Sequence, residues 1–585
     1  MKTSKIIITL WASLLLLAAC ENSKGLQKNV YKSPRHNTPN TVKENIVEND
    51  SKPAPVVKAN RKKKDKNRRA KEPVVPSVKL KKEVAEMEDA DMIAEPEIKV
   101  AYRKVAPQQQ EYDDNTYDAI QDNEFMLAQQ DPLSTFSIDV DNASYSVVRQ
   151  YLVNGEMPPA NAVRIEELIN YFDYSYAQPT GEHPFSVFTE VASAPWNAQH
   201  KMVMVGIKGK DLDYQNLKPG NLVFLIDTSG SMGDENKLPL LIKSFKLLVN
   251  QLPKNSKVAI VTYAGSAGLA LPPTRIKYKK KILSALDHLY AGGSTAGGEG
   301  IKLAYKIAED QFLSKGNNRV ILATDGDFNV GAHSPADMVD LIKKEKEKDI
   351  YLTILGFGMG NYKDGMMEQI SNAGNGNYFY IDAYSEAKKV FQKELVANMF
   401  TIAKDVKIQV EFNPTAVKAY RLIGYANRKL ANKDFNDDTK DAGELGAGHT
   451  VTALYEIIPA GSSENVEGTD PLKYQNVQNT VDNSELLTVK LRYKPIKSNV
   501  SKLIAIPVSN TNKEWQQAGS DFRFACSVAG FGMLLRDSKF KAQTDIKLVK
   551  KLVAGNPDYQ DIYKNEYITL LDKYEDLVAS SKLDN

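Results

Sequence analysis

The stretch Asn221-Leu222-Val223-Phe224-Leu225-Ile226-Asp227-Thr228-Ser229-Gly230-Ser231 decides how the rest of the chain is read. Its five consecutive apolar residues, 222–226, show no polar alternation, so the strand they form is covered on both faces. The run ends at a polar turn containing glycine. Beyond it, Leu238, Leu241, Ile242, Phe245, Leu248, Val249 and Leu252 recur at the three- and four-residue spacing of one helical face. The same pattern predicts a strand over 258–263, helices around 282–289 and 300–312, and a strand over 320–324. A helix over 338–347, strands over 351–357 and 376–382, and a closing helix over 385–399 follow. Strand and helix alternation of this kind requires a doubly wound, mostly parallel α/β sheet with helices on both faces. Ligands bind such sheets outside the carboxyl ends of the strands.

Oxygen-bearing side chains gather at those ends. Asp227, Ser229 and Ser231 occupy alternate positions of the turn after the first strand, so their side chains can converge on one point. Thr295 lies in the loop Gly292-Gly293-Ser294-Thr295-Ala296-Gly297, and Asp325 ends the strand over 320–324. Two carboxylates and three hydroxyls are hard donors without nitrogen or sulfur, a set suited to Mg2+ or Mn2+ with positions left for water or a partner's oxygen.

At these five positions the sequence resembles a von Willebrand factor type A (VWA) domain, a Rossmann-like fold, and its metal-ion-dependent adhesion site (MIDAS). The resemblance implies one divalent ion held by Asp227, Ser229, Ser231, Thr295 and Asp325, with an open position that takes a carboxylate from a protein partner. The phrases at 236–241 (NKLPLL), 322–331 (LATDGDFNVG), 355–364 (LGFGMGNYKD) and 405–414 (DVKIQVEFNP) extend it to bacterial lipoproteins with a central VWA domain. In that subfamily an N-terminal VWA-associated module and a C-terminal domain of unassigned function flank the centre. The likeness runs from about Thr116 to the C terminus.

The chain's beginning reads as an address. Lys2 and Lys5 precede an apolar run over 6–19, shorter than the roughly 20 residues a membrane span needs. It closes on Leu17-Ala18-Ala19-Cys20, which resembles a lipobox and implies a signal peptide over 1–19 and an acylated Cys20. The protein is then expected on the bacterial cell envelope, lipid-anchored, in the outer membrane and facing the periplasm or the surface. Residues 20–112 are rich in Asn, Lys, Pro, Glu and Gln and read as a disordered tether. Its basic run Arg61-Lys62-Lys63-Lys64 either lies against anionic headgroups or is a solvated stretch that keeps the tether extended.

Composition narrows the function. With 585 residues, 42% hydrophobic and 25% charged, the chain supports several cores. The net charge of +3 is more than accounted for by nine basic residues against Asp65 over 58–71, which leaves the remainder net negative and excludes a nucleic-acid binder built on a basic folded surface. Two cysteines, Cys20 and Cys526, exclude a disulfide scaffold and a CxxC site. Cys526 falls in an apolar helical pattern and reads as a small core residue.

The boundaries expected are 113–216 for the N-terminal module, 217–400 for the VWA domain, and 401–585 for a β-rich plus helical C-terminal domain. Val406, Ile408, Val410 and Phe412 alternate strictly, as do Leu487, Val489, Leu491 and Tyr493, so half-buried antiparallel strands are expected. Because both ends of a VWA domain emerge opposite the metal, strands from the two flanks should share one β-rich module. Gly356-Phe357-Gly358-Met359-Gly360 lacks full dinucleotide spacing and reads as a tight turn. Asp434, Asn436 and Asp438 mimic the start of an EF-hand, but Thr439 and Leu445 replace the required glycine and glutamate. Asp139 and Asp141 read as a strand end and a helix N-cap, and Asp327 as either an acid beside the metal or part of a turn. With dispersed histidines, no HExxH, no GxSxG and no Walker loop, the expectation is a non-enzymatic, cation-dependent binding module. A metal-dependent hydrolase and a scaffold with a vestigial metal site are the alternatives, the former needing a base aimed at metal-bound water.

Overall fold

The computed structural model describes residues 115–581 apart from 139, 212–216, 265, 294–296, 327–334, 359–362, 467–482 and 556–560. The signal peptide, Cys20 and the tether lie outside the described residues. No helix among the described residues is long and apolar enough to cross a membrane.

The central sheet has six strands in the spatial order Tyr378–Ile381, Ile350–Phe357, Asn317–Thr324, Gly220–Asp227, Lys257–Ala264 and Ser266–Arg275. The first five run parallel and the last is antiparallel to its neighbour. Every residue of Gly220–Asp227 is buried, because helices cover both faces. Leu222, Phe224 and Ile226 enter one apolar layer with Leu241, Phe245 and Leu248 of helix Leu238–Gln251. Val223 and Leu225 enter the other with Ile301, Ala304 and Ala308 of helix Gly297–Asp310. The antiparallel edge strand was not predicted. It contains Pro272 and Pro273 and little apolar alternation, which an edge position tolerates and a pattern search passes over. The closing helix is broken into Tyr384–Lys389, a π-helical turn Val390–Glu394, and Leu395–Asn398.

The two flanks build one three-layer module. Strands Met126–Leu127, Val417–Ile423, Thr450–Pro459, Asn197–Gly209 and Phe185–Ala194 form one antiparallel sheet, mixing segments from both sides of the VWA domain. In the second sheet, Thr401–Phe412 pairs with Glu485–Pro495, Gly443–Gly446 and Leu133–Ser137, and Glu485–Pro495 pairs with Lys502–Ser509. The two alternating patterns of the sequence face each other: Ile408 opposes Leu491, Val410 opposes Val489, and Phe412 opposes Leu487. Their apolar faces fill the space between the sheets with Val203, Val205, Ile207 and Tyr455. On the far side of the first sheet, Met202, Met204 and Leu454 meet helices Ser520–Leu535, Ile546–Val553 and Ile562–Ser581. Cys526 is fully buried there, and burial pushes its thiol well above the ordinary range, as a core residue requires.

Helix Ala143–Val153 of the N-terminal flank is shared by two cores: Tyr145, Val148 and Leu152 stay in the layer between the first sheet and the C-terminal helices. Ala143, Val147 and Tyr151 pack into the VWA layer with Tyr378 and Tyr380. Asp141 is not the N-cap; Asn142 stands there and makes no side-chain cap bond. Asp141 instead accepts the Tyr378 N–H at 3.1 Å through Oδ1 and the Arg428 guanidinium at 3.0 Å through Oδ2. Two buried charge clusters complete the attachment. Arg149 donates to Asp382 at 2.5 and 2.8 Å, to Glu386 at 2.8 Å and to Glu566 at 2.7 Å, joining three parts of the chain. Arg164 reaches Asp364, and Glu368 at 2.9 Å.

Candidate metal centre

Asp227 completes a fully buried strand, and its Oδ1 accepts the Ser229 N–H at 2.8 Å. That bond closes a tight turn which brings the Ser229 and Ser231 hydroxyls within 2.9 Å of each other. Asp325 follows the neighbouring strand, where Ala323 pairs with Ile226, so the two acids leave the sheet side by side. Gly326 then turns the chain away with φ +100°, a value that favours glycine. The glycine loop is fastened to the same turn, since Gly292 N–H donates to Thr228 O at 2.8 Å and Gly230 N–H to Gly293 O at 3.1 Å. The structure thus brings Asp227, Ser229, Ser231 and Asp325 together. Thr295, like Asp327, lies outside the described residues.

The electrostatics suit a cation. Burial pushes the Asp227 carboxyl up to about 6; hydrogen bonds from Ser229 oppose the shift and the Asp325 charge adds to it. Asp227 Oδ2 and Asp325 Oδ1 are buried without a hydrogen-bond partner among the described residues. Orphaned carboxylate oxygens are costly unless a positive charge meets them. These residues therefore fit a divalent ion: two carboxylates to balance its charge, and two serine hydroxyls as neutral oxygen donors. Among the described residues no group of three or more His, Cys, Asp or Glu could hold a metal.

One residue of the site was not read from the sequence. Lys237 Nζ donates to Ser231 O at 2.9 Å and lies 3.3 Å from Asp325 Oδ2 and 3.4 Å from Asp234 Oδ2. Its path crosses the loop after strand Ile350–Phe357. Gly358 there has φ +73°, and a Cβ on it would overlap the Lys237 chain at Cγ, Cδ and Cε. Gly356 and Phe357 of the segment read as a tight turn belong to the strand, Met359 and Gly360 lie outside the described residues, and Gly358's lack of a side chain clears the way for the lysine. The EF-like segment is a polar loop: Asp434 and Asp437 offer backbone carbonyls to Lys407, and Asp438 accepts the Ser501 N–H.

Comparison with known proteins agrees with this layout. The description "von Willebrand factor type A domain" matches residues 221–393, "von Willebrand factor" matches 111–204, and "Uncharacterized protein YfbK, C-terminal" matches 397–577. The centre of the chain is thus a VWA domain, a fold used for metal-dependent adhesion and protein interaction. The uncharacterized protein YfbK of Escherichia coli (strain K12) is 41% identical over 468 residues, which cover 78% of this chain and 80% of that protein. The chain belongs to the YfbK family. The uncharacterized protein sll0103 of Synechocystis is 27% identical over 208 residues, covering 34% of this chain and 46% of that one. Among solved structures, a von Willebrand factor type A protein from Catenulispora acidiphila aligns over 68% of this chain and 91% of its own at 17% identity, with a TM-score of 0.38.

Proposed function

We propose that this protein is a lipid-anchored envelope lipoprotein whose VWA domain holds one Mg2+ or Mn2+ and binds a protein partner through it, without turnover. The reading is carried by the pair of buried, unpartnered oxygens, Asp227 Oδ2 and Asp325 Oδ1, beside the Ser229 and Ser231 hydroxyls. Asp227 also orders the turn through its bond to Ser229 N–H, so the same carboxylate supplies charge and geometry. When bound, the ion supplies a positive charge with an open position for an anionic oxygen, and a carboxylate of the partner fits that chemistry. Thr295, which follows Gly292 and Gly293 in the sequence, is the fifth proposed donor. Acylation of Cys20 would hold the protein at the membrane, with the residues before 113 as a tether.

Calorimetry with Mg2+ on the full chain tests the site. Binding should be lost in both Asp227→Ala and Asp325→Ala, and binding that survives both substitutions ends the proposal. Mass spectrometry of the membrane fraction tests the anchor, and an unmodified Cys20 or cleavage elsewhere would remove it.

A further inference from the structure

Lys237 is oddly placed for a residue that serves its helix. It precedes helix Leu238–Gln251 at the N-cap position, with φ −115°, ψ −112° and no side-chain cap bond. Helix N-termini favour Ser, Thr, Asp or Asn as caps and repel positive charge through the helix dipole. The side chain is nevertheless drawn into the site, with 11% of its surface exposed, under a glycine that leaves it room. That glycine is itself pinned, since the Tyr380 hydroxyl donates to Gly358 O. The Ser231 carbonyl and Asp325 Oδ2 accept hydrogen bonds from the ammonium, and the exposed Asp234 carboxylate pairs with it at 3.4 Å. Lysine thereby covers one oxygen of the acid pair and leaves Asp227 Oδ2 and Asp325 Oδ1 buried without a partner among the described residues.

We propose that Lys237 is a tethered counter-ion of the metal site: its ammonium balances part of the acid pair when no divalent ion is present, and competes with that ion for Asp325. This inference rests on the metal site proposed above. With Asp234 beside the lysine, three carboxylates and an ammonium present a net charge of −2 to an incoming ion rather than −3, so affinity is set below what the carboxylates alone would give. The site then trades one cation for another instead of standing as an uncompensated anionic cup. Lys237 also begins the helix packed on the central sheet, so displacing its ammonium acts on the end of a structural element.

The test uses the full chain stripped with EDTA, titrated calorimetrically with Mg2+ and melted with and without the ion. Lys237→Met keeps the aliphatic stem and removes the charge. It should bind Mg2+ at least about tenfold more tightly, melt lower in EDTA than the unsubstituted protein, and gain more from saturating Mg2+. Lys237→Arg should keep the affinity low. Gly358→Ala, whose Cβ occupies the lysine's path, should also tighten Mg2+ binding, although every charged group remains. Binding by Lys237→Met and Gly358→Ala that equals or falls below that of the unsubstituted protein overturns the role of Lys237 and leaves the metal site standing. Mg2+ binding seen only in the variants supports both readings. No binding of Mg2+ or Mn2+ in any of these proteins overturns the metal site, and the counter-ion role falls with it.

Discussion

The rim of the VWA domain and its buried attachment to the β module use the same chemical parts to opposite ends. At the attachment, Arg149 holds Asp382, Glu386 and Glu566, and Arg164 holds Asp364 and Glu368, so each of these acids has a guanidinium from another segment. At the rim, one lysine pairs with Asp325 and Asp234 and none pairs with Asp227, and Asp227 and Asp325 keep two oxygens without a partner among the described residues. Arginine suits the first task because its planar fork satisfies several carboxylate oxygens at once and stays charged. Lysine suits the second because it is a point charge on a flexible stem, which holds one oxygen and can leave it. The attachment is not fully saturated, since Glu386 Oε1 is also buried without a partner among the described residues, but there a guanidinium holds each acid in place, whereas at the rim two adjacent acids each keep an unpartnered oxygen.

The comparison breaks most visibly if the attachment is removed. A fragment over 217–399 loses helix Ala143–Val153, whose Ala143, Val147 and Tyr151 complete one apolar layer of the domain. The alternating pattern alone leads one to expect such a fragment to be self-sufficient, and the shared layer argues against it. It should be about 3–5 kcal/mol less stable in urea than a fragment over 141–399. Equal stability would show the helix to be a passenger. In the full chain, Arg149→Met leaves buried acids without their cation and should cost about 3–5 kcal/mol, with the denaturation profile splitting as the VWA domain loosens from the module. A change below about 1 kcal/mol would mean the cluster does not hold the two together.

At the rim the sign of the effect reverses. Asp227 is fully buried and its carboxyl is pushed up to about 6, so its charge costs stability when no cation is present. Asp227→Asn should therefore leave the melting temperature in EDTA unchanged or raise it, while abolishing the gain on adding Mg2+. A melting temperature in EDTA that falls by more than about 5 °C would place Asp227 with the structural acids.

What could be read from the sequence follows from how far apart the cooperating residues stand. Asp227, Ser229 and Ser231 announce themselves because three oxygen donors alternate within five residues after a buried strand, and Asp325 because it ends another such strand. Lys237 could not be read, since its meaning depends on Gly358, which stands on a loop more than a hundred residues later. Asp141 looks like a cap by its place before a helix, yet its partners are Tyr378 and Arg428, contributed by separate parts of the chain. The β module was legible in its alternation, and the facing of residues 406–412 and 487–493 follows from two period-two patterns of matching length. Helix Ala143–Val153 buries Ala143, Val147 and Tyr151 in one core and Tyr145, Val148 and Leu152 in another, and nothing local says that two cores share it.

The smallest effect is expected at Ser231, and it separates neutral from charged donors within the rim. Ser231 is exposed, and its hydroxyl shares a 2.9 Å hydrogen bond with Ser229. The lysine contact uses its backbone carbonyl, which Ser231→Ala retains. The substitution therefore removes one neutral oxygen and leaves the acids, the turn and the ammonium in place. Water can fill the lost position, because the site opens to solvent on that side. Mg2+ affinity should fall about three- to tenfold, equivalent to about 1 kcal/mol, with stability in EDTA unchanged. If affinity instead falls as far as in Asp227→Ala, then neutral oxygens carry as much of the binding as the carboxylates do. The account of the rim as a charge-balanced cup would then have to give way to one in which hydroxyl placement dominates.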